Sequence, residues 1–219
     1  MIRLFLASRR SLIYSLLLSF ALLSVGGTSA HATPLPGGES ADIQKAIVRA
    51  VSILQDPELA KPENLAERRQ QLRQLIYSQF DFLRMSRGAV GRKWRHFNEQ
   101  QRVRFVELFR QILEVTYMDR IETYQGSGVR FAPEQRRGSR IIQLDSTVDV
   151  NGQPISLSYR CLNAGFGWKV YDVYIEGISL VSNYRSQFSY LLRGNDIEGL
   201  LTKLQAKVDS NLSKAAEQP

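Results

Sequence analysis

Between Val129 and Glu176 apolar residues alternate with polar ones, whereas on both sides of that stretch they recur every three or four positions. A period of two belongs to strands and a period near 3.6 to helices, so one block of strands stands between two blocks of helices. Turn signals, not helical segments, separate the strands, which makes the sheet antiparallel. The expected class is α+β: several helices packed on a small antiparallel meander of three to four strands.

In the strand block, Ile142, Leu144, Val148 and Val150 share one face, and Asn151-Gly152 is a strong hairpin signal. Ile155, Leu157, Tyr159 and Cys161 share the next face, Asn163 to Gly167 makes a second turn, and Trp168 to Glu176 is the third strand, with a fourth near Val129. Strict alternation in the third strand sets Val170, Asp172 and Tyr174 against Tyr171, Val173 and Ile175. The set without a carboxylate is assigned to the interior.

Helical spacing runs from Ala41 to Leu54 and stops before Pro57; a second helix begins near Pro62, a residue suited to a first turn. The segment from Phe80 to Met85 continues or restarts that helix, and Gly88 and Gly91 mark its exit. The clearest helix starts at Asn98, with Gln101 three residues on as in a capping box. Its apolar stripe is Val103, Val106, Phe109, Ile112, Leu113, Tyr117 and Ile121, with Phe105 beside it. After the sheet, Ile178, Val181, Phe188 and Leu191 line one helix, and Ile197, Leu200, Leu201, Leu204 and Val208 line the last.

The 219-residue chain opens with Arg3, Arg9 and Arg10, a Leu-rich run from Leu12 to Val25, and the small residues Ala30-His31-Ala32. That order is an export signal, with an apolar core too short to span a bilayer. The expected organisation is a signal peptide over 1–32, a flexible lead over 33–40, one domain over 41–209 and a polar tail over 210–219. Losing three arginines and no acids with the leader takes the net charge from +8 to +5.

Composition then excludes most hydrolytic chemistry. After cleavage His96 is the only histidine and Cys161 the only cysteine, so neither a disulfide nor a His/Cys zinc site can form within the chain. His96 follows Arg92, Lys93, Trp94 and Arg95 and has no carboxylate at a telling spacing. Cys161 is expected as a small buried hydrophobe, and Asp172 as half of a structural ion pair. Gly165-Phe166-Gly167 joins two strands and does not open a helix, so it is a hairpin loop and not a nucleotide fingerprint. No catalytic constellation, metal site or cofactor is expected. The basic runs over Arg84 to Arg95 and Arg136 to Arg140 suit anionic lipid or acidic partners in an exported protein; nucleic acid is not an expected partner.

What remains is a large apolar inventory around Phe80, Phe109, Tyr159, Trp168 and Phe188, which fills an ordinary core or lines an apolar cavity. Gln79-Phe80-Asp81-Phe82, Gly91-Arg92 with Trp94-Arg95, and Glu99-Gln100-Gln101-Arg102 lead to the most specific block, Gly167 to Val181 followed by Asn183-Tyr184-Arg185. With these motifs the chain resembles the MlaC family of periplasmic phospholipid-binding proteins, including its hopanoid-associated branch. The resemblance covers about Leu72 to Lys207; Cys161 departs from the family pattern.

The resemblance implies a non-enzymatic periplasmic shuttle with an internal apolar cavity. Such a protein carries a glycerophospholipid between an outer-membrane lipoprotein complex and an inner-membrane ABC transporter bearing an MCE-domain component, and maintains outer-membrane lipid asymmetry. A hopanoid or other lipid carrier, or an envelope adaptor without cargo, is the alternative. The side chains assigned to the tail cavity are Phe109, Ile112, Tyr117, Val148, Leu157, Tyr159, Val173, Ile175, Ile178, Val181 and Phe188. Arg92, Arg95, Arg102 and Arg160 are assigned to the headgroup or a partner surface.

Overall fold

The computed structural model describes residues 38–216 except 123, 125, 127, 151 and 166. The expected signal peptide and most of the lead lie outside the described residues. Helices α1 (Ala41–Leu54), α2 (Leu65–Gln79), α3 (Phe82–Val90) and α4 (Glu99–Glu122) precede the sheet. Its strands are β1 (Val129–Phe131), β2 (Gln135–Arg136), β3 (Ile141–Val150), β4 (Gln153–Asn163), β5 (Trp168–Ile175) and β6 (Ile178–Ser179). Helices α5 (Leu180–Leu191) and α6 (Ile197–Ala216) follow. The fold is α+β, as the change of period predicts.

The sheet runs β1-β3-β4-β5-β6, with β2 also paired to β3, and every pairing is antiparallel. The long strands β3, β4 and β5 are the expected meander. β1 is the fourth strand expected near Val129; the additional strands β2 and β6 are two residues long each, too short to display an alternation in the sequence.

Local chemistry sets the helix boundaries. Asn98 Oδ1 accepts from the Gln101 N–H at 2.8 Å while Gln101 Oε1 accepts from the Asn98 N–H at 3.0 Å, a complete capping box for α4. The chain does restart after α2: Phe80 is extended and forms a parallel bridge with Val170, and Asp81 then caps α3 by accepting from the Arg84 N–H at 2.8 Å. On α4 the buried stripe is Phe105, Leu108, Phe109, Ile112 and Leu113, whereas Val103 is 68% exposed. Phe105 and Leu108 bring more apolar area than Val103 and rotate the helix toward themselves. Ile178 lies on β6, because Ser179 accepts from the Ser182 N–H at 3.0 Å and starts α5 one residue later. At the described end of the lead, the Ser40 N–H donates to Glu134 at 2.8 Å and Glu39 pairs with Arg136 at 2.5 Å. Helix α6 continues to Ala216, through the polar stretch that begins at Ser210.

Three apolar clusters hold these parts together. The largest joins α3, α4, α5 and α6 around an aromatic group: Phe109 meets Tyr184 at 5.1 Å, and Phe105 meets Phe188 at 5.7 Å, both edge-on. A second joins Ile43 of α1 to Ile142, Leu144, Tyr159, Cys161 and Val170 of the sheet. The third gathers Ile53, Leu54, Leu72, Met118 and Tyr124.

Asp172 is buried but not ion-paired to an arginine among the described residues. Its carboxylate accepts from the Ser179 hydroxyl at 2.7 Å and the Val181 N–H at 3.1 Å, which ties β5 to the first turn of α5. A helix start supplies unpaired N–H donors, so no arginine is needed. Asp172→Ala leaves both buried donors without an acceptor and should lower unfolding free energy by about 3 kcal/mol. Urea denaturation measures this, and a loss below about 0.5 kcal/mol would show that the contact does not hold α5.

Candidate functional site

Directly opposed residues of antiparallel strands share a face, so the register lists the inner face of the sheet row by row. Ile142, Cys161 and Val170 form one row; Leu144, Tyr159 and Val173 the next; Phe131, Ser146, Leu157, Ile175 and Ile178 a third; and Val129, Val148 and Ile155 a fourth. The first row is completely buried. Toward the β3–β4 hairpin Val148, Ile155, Leu157 and Ile175 are half-buried, while Val129 on β1 and Ser146 stay buried, and exposure reaches 63% at Ile178 on the sheet edge.

A bulge makes this face continuous. Cys161 faces Val170 while Arg160 faces Asp172, so Tyr171 is an extra residue in β5. Strict alternation would place Val170 opposite in sense to Val173 and Ile175; the extra residue brings all three to the inner face and turns Asp172 outward to α5.

Half-buried side chains of this face and of α4 pack against all three clusters, each against one of them. Ile175 and Tyr117 of α4 border the helical cluster, Leu157 and Val173 the sheet cluster, and Val148, Val150 and Ile121 the third. A domain of this size ordinarily has one contiguous core. Here the core is divided into three, and half-buried aliphatic and aromatic groups at the cluster borders line a seam that is not closed from solvent. Burial raises the Tyr117 phenol pKa above its ordinary value, so this group is neutral at the seam across the physiological range.

The assigned tail-cavity residues therefore fall into distinct places. Tyr117, Val148, Leu157, Val173 and Ile175 lie on the seam, and Ile178 is on its exposed edge. Tyr159 lies in the sheet cluster behind it. Phe109, Ile112, Val181 and Phe188 are deep in the helical cluster. Val181 also fills the α3–α5 contact: a Cβ added at Gly88 would come within 2.7 Å of its Cγ1.

The four assigned arginines do not converge. Arg92 and Arg95 are exposed on the 3₁₀ turn Gly91–His96. Arg102 lies over the Trp94 ring, 5.6 Å from its centroid, beside that turn. Arg160 is on the outer face of the sheet, over Tyr174 at 4.5 Å. Among the described residues no contact joins it to the other three.

Sequence periodicity missed Ser146. It is 5% exposed and occupies an inward position of β3 between Leu144 and Val148. The interruption of the inward set at 146 was the visible signal. Elsewhere, open grooves of about 550 and 440 Å³ lie between α4 and α6, beside Val103, and between α1, α2 and β5, beside Trp168. Both carry charged rims, and neither includes a seam residue. Among the described residues no cluster of His, Cys, Asp or Glu suits a metal ion, and no helix is long and apolar enough to cross a membrane.

The model of the MlaC protein family matches residues 44–206, which includes all six strands and nearly all of the helices. The chain belongs to the MlaC family. Family membership places it in the periplasm. It is similar to a phospholipid-binding protein of Ralstonia solanacearum solved in complex with a phospholipid, with 28% identity and a TM-score of 0.70 over 80% of this chain and 99% of that one. It is also 26% identical over 122 residues to the intermembrane phospholipid transport system binding protein MlaC of Haemophilus influenzae. That match spans 53% of this chain and 57% of the curated relative, little more than half of its length.

Cys161 is fully buried in the sheet cluster, and burial pushes its thiol up to about 12. Because this exceeds the ordinary 9.0, its contribution to stability is complete below about pH 9 and is lost as pH rises toward 12. A disulfide reagent at pH 8 should leave the folded protein unmodified and label it once urea is added. Rapid labelling without urea would contradict a dry inner row.

Proposed function

We propose that this protein is a periplasmic carrier that takes up one phospholipid molecule, acyl chains inward and headgroup near solvent. It carries that lipid between the outer membrane and an inner-membrane ABC transporter with an MCE-domain component, and so contributes to outer-membrane lipid asymmetry. The observation that supports this is the seam: helices and sheet share an apolar boundary that neither seals. Acyl chains entering there part the layers and complete the burial of Tyr117, Val148, Leu157, Val173 and Ile175. No catalytic group is required. The relatives described as phospholipid-binding and as part of phospholipid transport support the cargo class.

The energetics favour exchange over permanent binding. Each buried methylene contributes ~0.8 kcal/mol, so two chains with about thirty methylenes amount to ~24 kcal/mol of gross burial. A bilayer supplies nearly the same, so the difference between protein and membrane is small and a partner can tip it. Arg92 and Arg95, with exposed Arg87 nearby in the chain, offer an anionic headgroup or acidic partner face a cluster of guanidinium donors.

Leu157→Asp and Ile175→Asp each place a carboxylate on the seam at a half-buried position. Each should lower uptake of a fluorescent phospholipid from vesicles by at least about tenfold, since an unpaired buried charge costs several kcal/mol. Far-ultraviolet circular dichroism should be unchanged, and Val103→Asp, exposed on α4, should take up lipid as the parent does. Uptake unaffected by both seam variants would contradict this site.

A further inference from the structure

The inward stripe of α4 ends in a charge. With 3.6 residues per turn, Phe109, Leu113, Thr116, Tyr117 and Arg120 fall on one side of the helix. Phe109 and Leu113 are buried, Thr116 and Tyr117 are half-buried, and Arg120 is exposed, so this side runs from dry core past the seam to solvent. Tyr184 of α5 marks what the stripe faces. It is buried, its ring meets Phe109 edge-on at 5.1 Å, and its phenol lies near the Thr116 hydroxyl. Burial raises the pKa of Tyr184 to about 12 and that of Tyr117 above its ordinary value, and the positive charge of Arg120 is close enough to both phenols to offset part of each rise.

A cation in the last turn of a helix suits the dipole from any side, so the dipole does not account for its place on this stripe. The carboxylates nearest to Arg120 in the chain are turned to α2, where Arg69 holds Asp119 at 2.9 Å and Glu122 at 2.5 Å. The guanidinium therefore stands about one turn outward from Tyr117, at the margin of the seam, with the adjacent acids neutralised by another cation. The turn that carries Arg92 and Arg95 leads into the first residue of α4, which is eighteen positions, or about 27 Å along the axis, from Tyr117. Arg102 lies over Trp94 at that same distant end.

We propose that Arg120 is the headgroup anchor: its guanidinium pairs with the phosphate diester of a lipid whose acyl chains occupy the seam. The proposal rests on the lipid-carrier function above and adds to it the group that recognises the phosphate. A phosphate diester carries one negative charge and two non-bridging oxygens, which a guanidinium meets with parallel N–H donors. Glycerol is a short spacer, so chains packed against Tyr117 and Ile175 leave their phosphate at the exposed end of the α4 stripe, where a charged group keeps its contact with water. The turn with Arg92 and Arg95 is left to a partner surface.

The test compares loading with and without the phosphate. The full-length mature protein is incubated with vesicles containing phosphatidylglycerol and diacylglycerol with the same acyl chains, and the ratio of the two bound masses is read by native mass spectrometry. Both lipids come from one vesicle population, so the bilayer's own preference cancels between parent and variant. Because the ratio is read only on loaded molecules, a partly unfolded variant does not distort it. Arg120→Gln should shift the ratio toward diacylglycerol by roughly fivefold, the value of one net hydrogen bond. The double variant Arg92→Gln with Arg95→Gln should keep the parent's ratio. A ratio that Arg120→Gln leaves unchanged, or that the double variant shifts as far, would overturn the anchor while loading itself upheld the carrier. If the parent loaded neither lipid, the carrier function itself would fail, and the anchor with it.

Discussion

One extra residue in β5 organises the molecule. With Tyr171 bulged out, Val170, Val173 and Ile175 all face inward, and Asp172 turns outward to hold the first turn of α5. The same short segment thus builds the apolar face and anchors the helix that carries Val181, Tyr184 and Phe188 into the helical cluster. Without the bulge, either Val170 would leave the inner face, or Val173 and Ile175 would leave it and Asp172 would lose its two donors and turn inward as an uncompensated carboxylate.

The division of the core follows from how the helices are secured. Helix α4 is pinned to α2 by ion pairs, Arg69 with Glu122 at 2.5 Å and Arg73 with Glu114 at 2.6 Å, and to α5 by the edge-on aromatic contacts of Phe105 and Phe109. Helix α1 covers the dry end of the sheet through Ile43. These attachments hold the helical layer over the sheet at its margins, so the hairpin end of the inner face can stay incompletely covered. Ion pairs that are still partly open to water, as these are, add little stability individually, and the aromatic packing carries more of that task. A seam held in this way can part for acyl chains while Ile142, Leu144, Cys161 and Val170 remain packed.

Much of this was legible in the sequence, for reasons that can be named. The change of period gave the helix–sheet–helix order, Asn98 and Gln101 gave the start of α4, and alternation gave the inner faces of β3 and β4. Three features were not legible. The bulge at Tyr171 has no alternation signature, because it is visible only once Cys161 and Val170 are paired. The helical partner of Asp172 depended on α5 starting at Leu180, whereas the apolar spacing placed Ile178 in the same helix. The position of Phe109, Ile112 and Phe188 behind the seam, away from its surface, depended on how the aromatic rings of α4 and α5 stack on each other. Apolar spacing identifies a buried face but not whether another side chain or a ligand covers it.

The most direct test of the central claim is native mass spectrometry of the mature protein purified without detergent, followed by organic extraction and identification of what is released. One additional mass per chain is expected, identified after extraction as a phospholipid. A clean unliganded mass that gains nothing from phospholipid vesicles, or an extract containing a lipid of another class, would contradict it.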